Sequence, residues 1–253
     1  MLRIILIGAS GAMGKTLVDL VKNDENYKFV AGLSRKVDKT NDFPVYEKIS
    51  DIKEEADVII DFSSRSLLDD IIAFAKEKSY PVVFATTGFT DEDLEKIDDL
   101  SGSVALIQEG NYSLGVNVMV DIAEKLACAL KEFDIEIVES HHNKKKDNPS
   151  GTAKMIFDSV NRGRDGKLFK KMRDFSHEDK RDPNEVGIAS LRAGTIVGDH
   201  SLIFAGLDET IEIKHRAFSK KIFANGALKA ATYLQGKKPG RYKFSEVLRS
   251  EDD

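Results

Sequence analysis

Residues 138–153 read VESHHNKKKDNPSGTA. They bring a carboxylate, two adjacent histidines, three consecutive lysines and a turn of small residues into one short stretch. Imidazole and ammonium groups exchange protons and attract anions. Ser150, Gly151 and Thr152 lead into the helical pattern TAKMIFDSV. They therefore bring hydroxyls and first-turn N–H groups to a helix start, where a carboxylate or phosphate is favoured. Together these residues describe a pocket for a small polyanion with proton donors at hand. Two other readings compete. Two histidines and a glutamate are zinc-ligand types, but neighbouring histidines serve one metal awkwardly. No H-E-x-x-H helix occurs and the lysines would repel a cation, so no metal is expected. A lysine run taken alone is ordinarily a solvated loop.

The strand pattern DIEIVESHH must position these groups. Ile135 and Ile137 alternate with Asp134 and Glu136, which puts Glu139 and His141 on one face. His142 can join them only if the strand ends there, as NKKKDNP suggests.

A second candidate lies at the other end of the chain. IGASGAMG sets Gly8, Gly11 and Gly14 between the apolar run RIILIG and the helical pattern GKTLVDLVKN. Small residues there let the backbone approach a pyrophosphate at a helix start. Gly8, Ala9, Ser10, Gly11, Ala12 and Met13 are therefore read as a dinucleotide loop, and the strand–turn–helix context supports this. The second strand ends in AGLSRKVDK. Ser34, Arg35 and Lys36 stand where an NAD site usually carries an acid for the ribose 2′-OH. Two cations and no acid favour a 2′-phosphate, and hence NADPH, with NADH as the alternative. Ligands in such sheets lie beyond the strand carboxyl ends. Phe62, Ala85, Thr86 and Thr87 are accordingly placed on the cofactor side, as are Glu109, Gly110, Asn111 and Tyr112 of the loop after the fifth strand.

The elements behind these sites fall into two grammars. Apolar runs at 3–8, 28–33, 56–63, 81–88 and 104–109 alternate with helical patterns, which predicts a doubly wound parallel sheet of Rossmann type. After residue 112, a long helix (114–131) is followed by alternating strands, with GLDE as a hairpin turn. This predicts a second, α+β domain with a mixed sheet. The final helix (219–236) is expected to return to the first domain. The division is then 1–112 with 220–253 for the dinucleotide and 113–219 for substrate and oligomerisation. Closure is expected about 109–113 and a segment near 219. The charged segment 162–185 is expected to be a mobile excursion or lid.

Composition sets the limits. Thirty-eight basic and 43 acidic residues give a net charge of −5, which offers nothing for nucleic acid or an anionic membrane. The single cysteine, Cys128, cannot form an internal disulfide and reads as a small core residue of the long helix. No run approaches the ~20 apolar residues of a membrane helix, and the opening MLRIILIGAS is too short for a signal peptide. A cytoplasmic location is expected.

The stretch ESHHNKKKDNPSGTA resembles the E-x-H-H-x-x-K-x-D-x-P-S-G-T-A signature of the 4-hydroxy-tetrahydrodipicolinate (dihydrodipicolinate) reductase family. The likeness extends over almost the whole chain, through the glycine loop, IDFS, TTGF, NYSLGVNVM, SLRAGTIVGDHSLIF, ETIEIKHRAFS and FANGALKAA. The resemblance implies hydride transfer from NAD(P)H to a small cyclic dicarboxylate in the diaminopimelate route to lysine. It implies that His141 is the proton donor/acceptor and Lys145 a proton donor, with His142, Gly151 and Thr152 holding carboxylates. Only the family spacing selects Lys145 among the three lysines. Lys144 and Lys146 are read as solvated. The resemblance also implies a homotetramer built on the second-domain sheet. Two departures stand out: Ser34 replaces an acid of many relatives, and Lys220 stands where some relatives carry an arginine near the substrate.

Overall fold

The computed structural model describes residues 1–35, 41–172 and 180–250. Lys36 and residues 173–179 of the charged segment lie outside the described residues. The elements in chain order are β1 (Leu2–Ile7), α1 (Ala12–Val21), β2 (Tyr27–Leu33), β3 (Val45–Tyr46), β4 (Val58–Asp61), α2 (Leu68–Lys78), β5 (Val82–Phe84), α3 (Asp91–Ser101), β6 (Ala105–Gln108), α4 (Leu114–Ala129), β7 (Asp134–His141), α5 (Gly151–Gly163), β8 (Phe169–Met172), β9 (Glu185–Arg192), β10 (Gly198–Ala205), β11 (Thr210–Ala217), α6 (Lys221–Leu234), β12 (Gly240–Tyr242) and α7 (Phe244–Arg249). The chain divides into one unit of Met1–Ser113 with Lys220–Asp253 and a second of Leu114–Ser219.

The first unit carries a parallel sheet in the order β12-β6-β5-β4-β1-β2-β3. This is the doubly wound Rossmann arrangement, and the strand order reverses between β1 and β4. Ile5, Ile7, Ile59, Val82 and Phe84 face α2 and α3 in one core layer. Their alternates Ile4, Leu6, Ile60 and Val83 are buried as well. Burial on both faces explains why these strands read as continuous apolar runs. Thr90 caps α3 through a reciprocal box with Asp93, as the acidic first turn suggests. Two short edge strands, β3 and β12, were not expected. Neither VY nor GRY has enough residues to show a period.

In the second unit the sheet runs β11-β10-β7-β9-β8. β7 pairs antiparallel with β10 and parallel with β9, so the sheet is mixed. α4 and α5 pack on one face over Ile135, Ile137, Val186, Ile188, Leu202 and Phe204. The GLDE turn joins β10 to β11, with Gly206 N–H donating to the Glu209 carbonyl at 2.9 Å.

Two expectations need correction here. Cys128 is exposed. The buried stripe of α4 is Val116, Met119, Ala123 and Ala127, and the next residue lies about 100° round the helix. The described parts of 162–185 are tied down. Residues 169–172 form β8 on the edge of the sheet, beside β9. Arg164 donates to the carbonyls of Ala127 at 2.7 Å and Phe133 at 3.0 Å, around the end of α4. Arg181 donates to the carbonyls of Ile135 at 2.9 Å and Glu185 at 2.6 Å.

Candidate active site

β7 carries the centre of the site. Its alternation buries Ile135, Ile137, Glu139 and His141 on one face, and the strand ends at His141. Glu139 is fully buried, and one guanidinium holds it. Arg192 donates to its Oε1 at 2.7 Å and to its Oε2 at 2.9 Å. The parallel register of β7 and β9 sets Arg192 beside His141. His141 Nδ1 lies 2.5 Å from Glu139 Oε2. Burial works against the Glu139 charge, but hydrogen bonds from Arg192 and His141 outweigh it and hold the carboxyl at about 2. Burial lowers the His141 imidazole. Glu139 opposes that shift, while Lys145 and Arg192 add to it.

The loop 142–150 folds back over this pair. Arg192 also donates to the Asp147 carbonyl at 2.7 Å, and Lys145 Nζ lies 2.9 Å from Asp147 Oδ1. Ser150 caps α5, its hydroxyl accepting from Ala153 N–H at 3.1 Å. Its own N–H donates to Glu139 Oε1 at 3.2 Å, and its hydroxyl lies 3.0 Å from His200 Nε2. Ser150 is thus turned inward and buried, and it frames the turn that was expected to present it. Gly151 is exposed, and a Cβ added there would meet nothing within 4 Å, so the helix start opens onto space. Thr152 is partly buried in the first turn of α5. His142 Nδ1 is buried and finds no hydrogen-bond partner among the described residues.

Glu139, Arg192 and His200 were not among the candidate site residues read from the sequence. The His200 ring meets the His141 ring edge-on at a centroid distance of 5.1 Å. Burial, followed by the neighbouring His141, pushes His200 down to about 4, so it is neutral at physiological pH. Glu139, His141 and His200 place possible ligand atoms within 4.8 Å of one another. Arg192 occupies both oxygens of that carboxylate with a fixed positive charge, which favours the ion pair over a cation.

The dinucleotide loop belongs to the first unit. Gly8 has φ +89°, and a Cβ there would lie 2.5 Å from the Phe62 carbonyl oxygen. A Cβ at Gly14 would lie 2.3 Å from the Gly8 carbonyl oxygen. Gly11 is the N-cap of α1 and is exposed. The loop is therefore a cradle at the carboxyl end of β1, beside β4, with Gly11 and Ala12 exposed, which fits a pyrophosphate. Ala9 is buried against the sheet, while Ala12 is exposed and Ser10 and Met13 are partly so. Ser10 and Ser34 touch through their hydroxyls. Arg35 is exposed and reaches the Ser66 hydroxyl at 3.4 Å, and Ser66 in turn lies 2.8 Å from Ser64.

The later strand ends are more structural than expected. Thr86 is buried, whereas Thr87 is exposed and Phe62 and Ala85 are partly exposed. In the 109–112 loop only Gly110 is exposed. Tyr112 has its ring in the core, edge-on to Phe244 at 5.3 Å. Its hydroxyl donates to the Phe84 carbonyl at 2.9 Å. Asn111 Oδ1 accepts from Ser113 N–H at 2.8 Å, and Glu109 accepts from Phe244 N–H at 3.4 Å. These side chains hold the loop from within, with Gly110 as its exposed residue. Asp61, unremarked in the sequence, is buried at the end of β4. Burial raises its carboxyl, against hydrogen bonds from the Ser63 N–H and hydroxyl. Lys220 is the exposed N-cap of α6.

Two family descriptions match in tandem: the N-terminus of dihydrodipicolinate reductase over residues 2–112 and its C-terminus over 115–248. The 4-hydroxy-tetrahydrodipicolinate reductase of Caldanaerobacter subterraneus subsp. tengcongensis is 43% identical over 249 residues, covering 98% of this chain and 99% of the relative. That of Clostridium novyi is 41% identical over 254 residues, covering all of both chains. Among solved structures, the dipicolinate-bound dihydrodipicolinate reductase of a Paenisporosarcina species superposes with a TM-score of 0.80. It is 22% identical, covers 96% of this chain and 97% of its own, and shares the fold.

Proposed function

Since this chain belongs to the dihydrodipicolinate reductase family, we propose that it reduces 4-hydroxy-tetrahydrodipicolinate to tetrahydrodipicolinate. The reaction consumes one NAD(P)H and one proton and releases water. The bound nicotinamide supplies the hydride. The bared cradle Gly8–Met13 takes the pyrophosphate, and Ser34 and Arg35 take the adenosine ribose. Arg35, which reaches the Ser66 hydroxyl and has no acid beside it among the described residues, favours the 2′-phosphate and hence NADPH over NADH.

His141 and Lys145 manage the protons. Reduction leaves negative charge on the substrate, and a cationic acid nearby quenches it. His142, Gly151 and Thr152 bind the carboxylates, with Ser150 fixing the turn beneath them. The observation that carries this reading is the Glu139–His141 pair set directly below an anion-favouring helix start. The first unit binds the dinucleotide. The second binds substrate and assembles the chain into a homotetramer in the cytoplasm.

Product analysis tests the reading. Substrate would be generated in situ from pyruvate and aspartate semialdehyde, and the products followed by NMR. Tetrahydrodipicolinate forming in step with NAD(P)+ is expected. Another product, from another small acid, would make the chain a different reductase. Binding of NADPH without turnover would make it a sensor.

A further inference from the structure

Among the described residues, Glu139 makes four hydrogen-bond contacts. Oε1 accepts from Ser150 N–H and from Arg192 Nη2, and Oε2 accepts from Arg192 Nη1 and faces His141 Nδ1. The backbone amide and the guanidinium can only donate. With the carboxylate ionised there is no proton on Glu139 to give, so Nδ1 must carry the hydrogen in the fourth contact. Nε2 is then the ring atom available for exchange. A Cβ added at Gly198 would lie 3.1 Å from it, so a side chain there would crowd this ring atom. Through Asp147 the same guanidinium is linked to Lys145. One buried ion pair thus organises both proton donors and the first turn of α5.

We propose that Glu139, clamped by Arg192, is the positioning residue that holds His141 as its Nδ1–H tautomer and so reserves Nε2 for proton exchange with the substrate. The claim rests on the reductase reading for the role of His141. Its geometric half stands apart from it. Among the described residues, four groups face the imidazole: Glu139, Lys145, Arg192 and His200.

The Gln variant shows why the charge matters. Oε1 meets two fixed donors, whereas Oε2 meets one fixed donor and the imidazole. In Glu139→Gln the amide oxygen therefore takes the Oε1 place and the NH2 takes the Oε2 place. That NH2 also meets Arg192 Nη1, another donor, so one arm of the guanidinium clamp is lost; the acceptor left to the NH2 is Nδ1 without its hydrogen, which places the ring proton on Nε2. Size is preserved and the tautomer is reversed.

The test combines ring-15N NMR of the full-length protein with steady-state kinetics. His141 signals are assigned by their loss in His141→Asn. Wild type should show a neutral ring protonated at Nδ1, and Glu139→Gln one protonated at Nε2. The variant's kcat should fall about 100-fold or more with KM changed less than about threefold, because general acid–base contributions are of that order. Glu139→Asp keeps an acceptor and should recover about tenfold of the loss. The His141 limb of the pH–rate profile should move to lower pH in Glu139→Gln, since the anion that raises the imidazole is gone. A wild-type neutral ring protonated at Nε2 would overturn the proposal, even if the variant does not fold. So would wild-type kcat in a variant whose tautomer has switched. A wild type without turnover would overturn the reductase reading, and the NMR result would still decide the tautomer.

Discussion

Lys145 Nζ lies 2.9 Å from Asp147 Oδ1, with only 22% of the lysine side chain exposed. Lys144 and Lys146, its neighbours in the run, are exposed. The structure therefore distinguishes one lysine of the three on physical grounds: it is drawn in, paired, and linked through Asp147 to Arg192. Lys145→Ala should lower kcat about 100-fold or more, while Lys144→Ala and Lys146→Ala stay within about threefold of wild type. Equal losses at all three would make the run a general electrostatic patch.

Cofactor choice should follow charge at the end of β2. Ser34→Asp places an acid beside Arg35 and against a 2′-phosphate. The ratio of kcat/KM for NADPH over NADH should drop at least about tenfold, which is about 1.4 kcal/mol. Arg35→Ala should lower the same ratio, mainly through the KM for NADPH. An unchanged ratio in both variants would remove Ser34 and Arg35 from the cofactor site.

The glycines of the loop should separate into two kinds. A Cβ at Gly14 drives into the rigid carbonyls of Gly8 and Ala9, at 2.3 and 2.5 Å. Gly14→Ala should sharply lower the thermal midpoint. At Gly11 the nearest atom is the Gly8 oxygen at 3.1 Å, which a small shift relieves. Gly11→Ala should keep stability within about 1 kcal/mol. It should still weaken dinucleotide binding about tenfold by blocking close approach. Calorimetry and cofactor titration check the two arms.

Acid should loosen the second unit in two steps. The His200 ring protonates at about 4 when folded and at an ordinary 6.5 when unfolded. Below 6.5 the unfolded chain gains a proton that the folded chain refuses. Stability therefore falls as pH drops from 6.5 toward 4, by about 3 kcal/mol in all. Glu139 acts lower. Its folded value of about 2 lies beneath the ordinary 4.5, so its contribution is lost as pH falls from 4.5 toward 2. Urea unfolding of wild type and His200→Asn should diverge at neutral pH and converge toward pH 4. Parallel curves would mean that the ring is not held neutral.

The first unit was largely legible because each strand is covered on both faces, which writes itself as an unbroken apolar run. The glycine loop gained its meaning from that context. In the second unit, alternation in DIEIVESHH foretold that Glu139 and His141 share a face. It could not supply Arg192 or His200, whose places depend on the register of β9 and β10 against β7, dozens of residues away in the chain. Side-chain direction at strand ends was also hidden. Tyr112 follows β6 as a cofactor-loop residue would, yet its ring turns into the core against Phe244. Cys128 sits one position off the buried stripe of α4, a difference too small for the apolar pattern to resolve. β8 leaves no mark in the sequence because FKKM, an edge strand with mostly exposed side chains, has no apolar pattern.

The most direct test is oxidation of NADPH by the purified chain, with and without substrate generated in situ, for wild type and for the double variant His141→Gln, Lys145→Ala. The account predicts substrate-dependent oxidation by wild type, faster with NADPH than with NADH. In the double variant oxidation should be nearly abolished while NADPH binding is retained. A folded wild type that binds NADPH but shows no substrate-dependent oxidation would contradict it, as would a double variant that turns over at the wild-type rate.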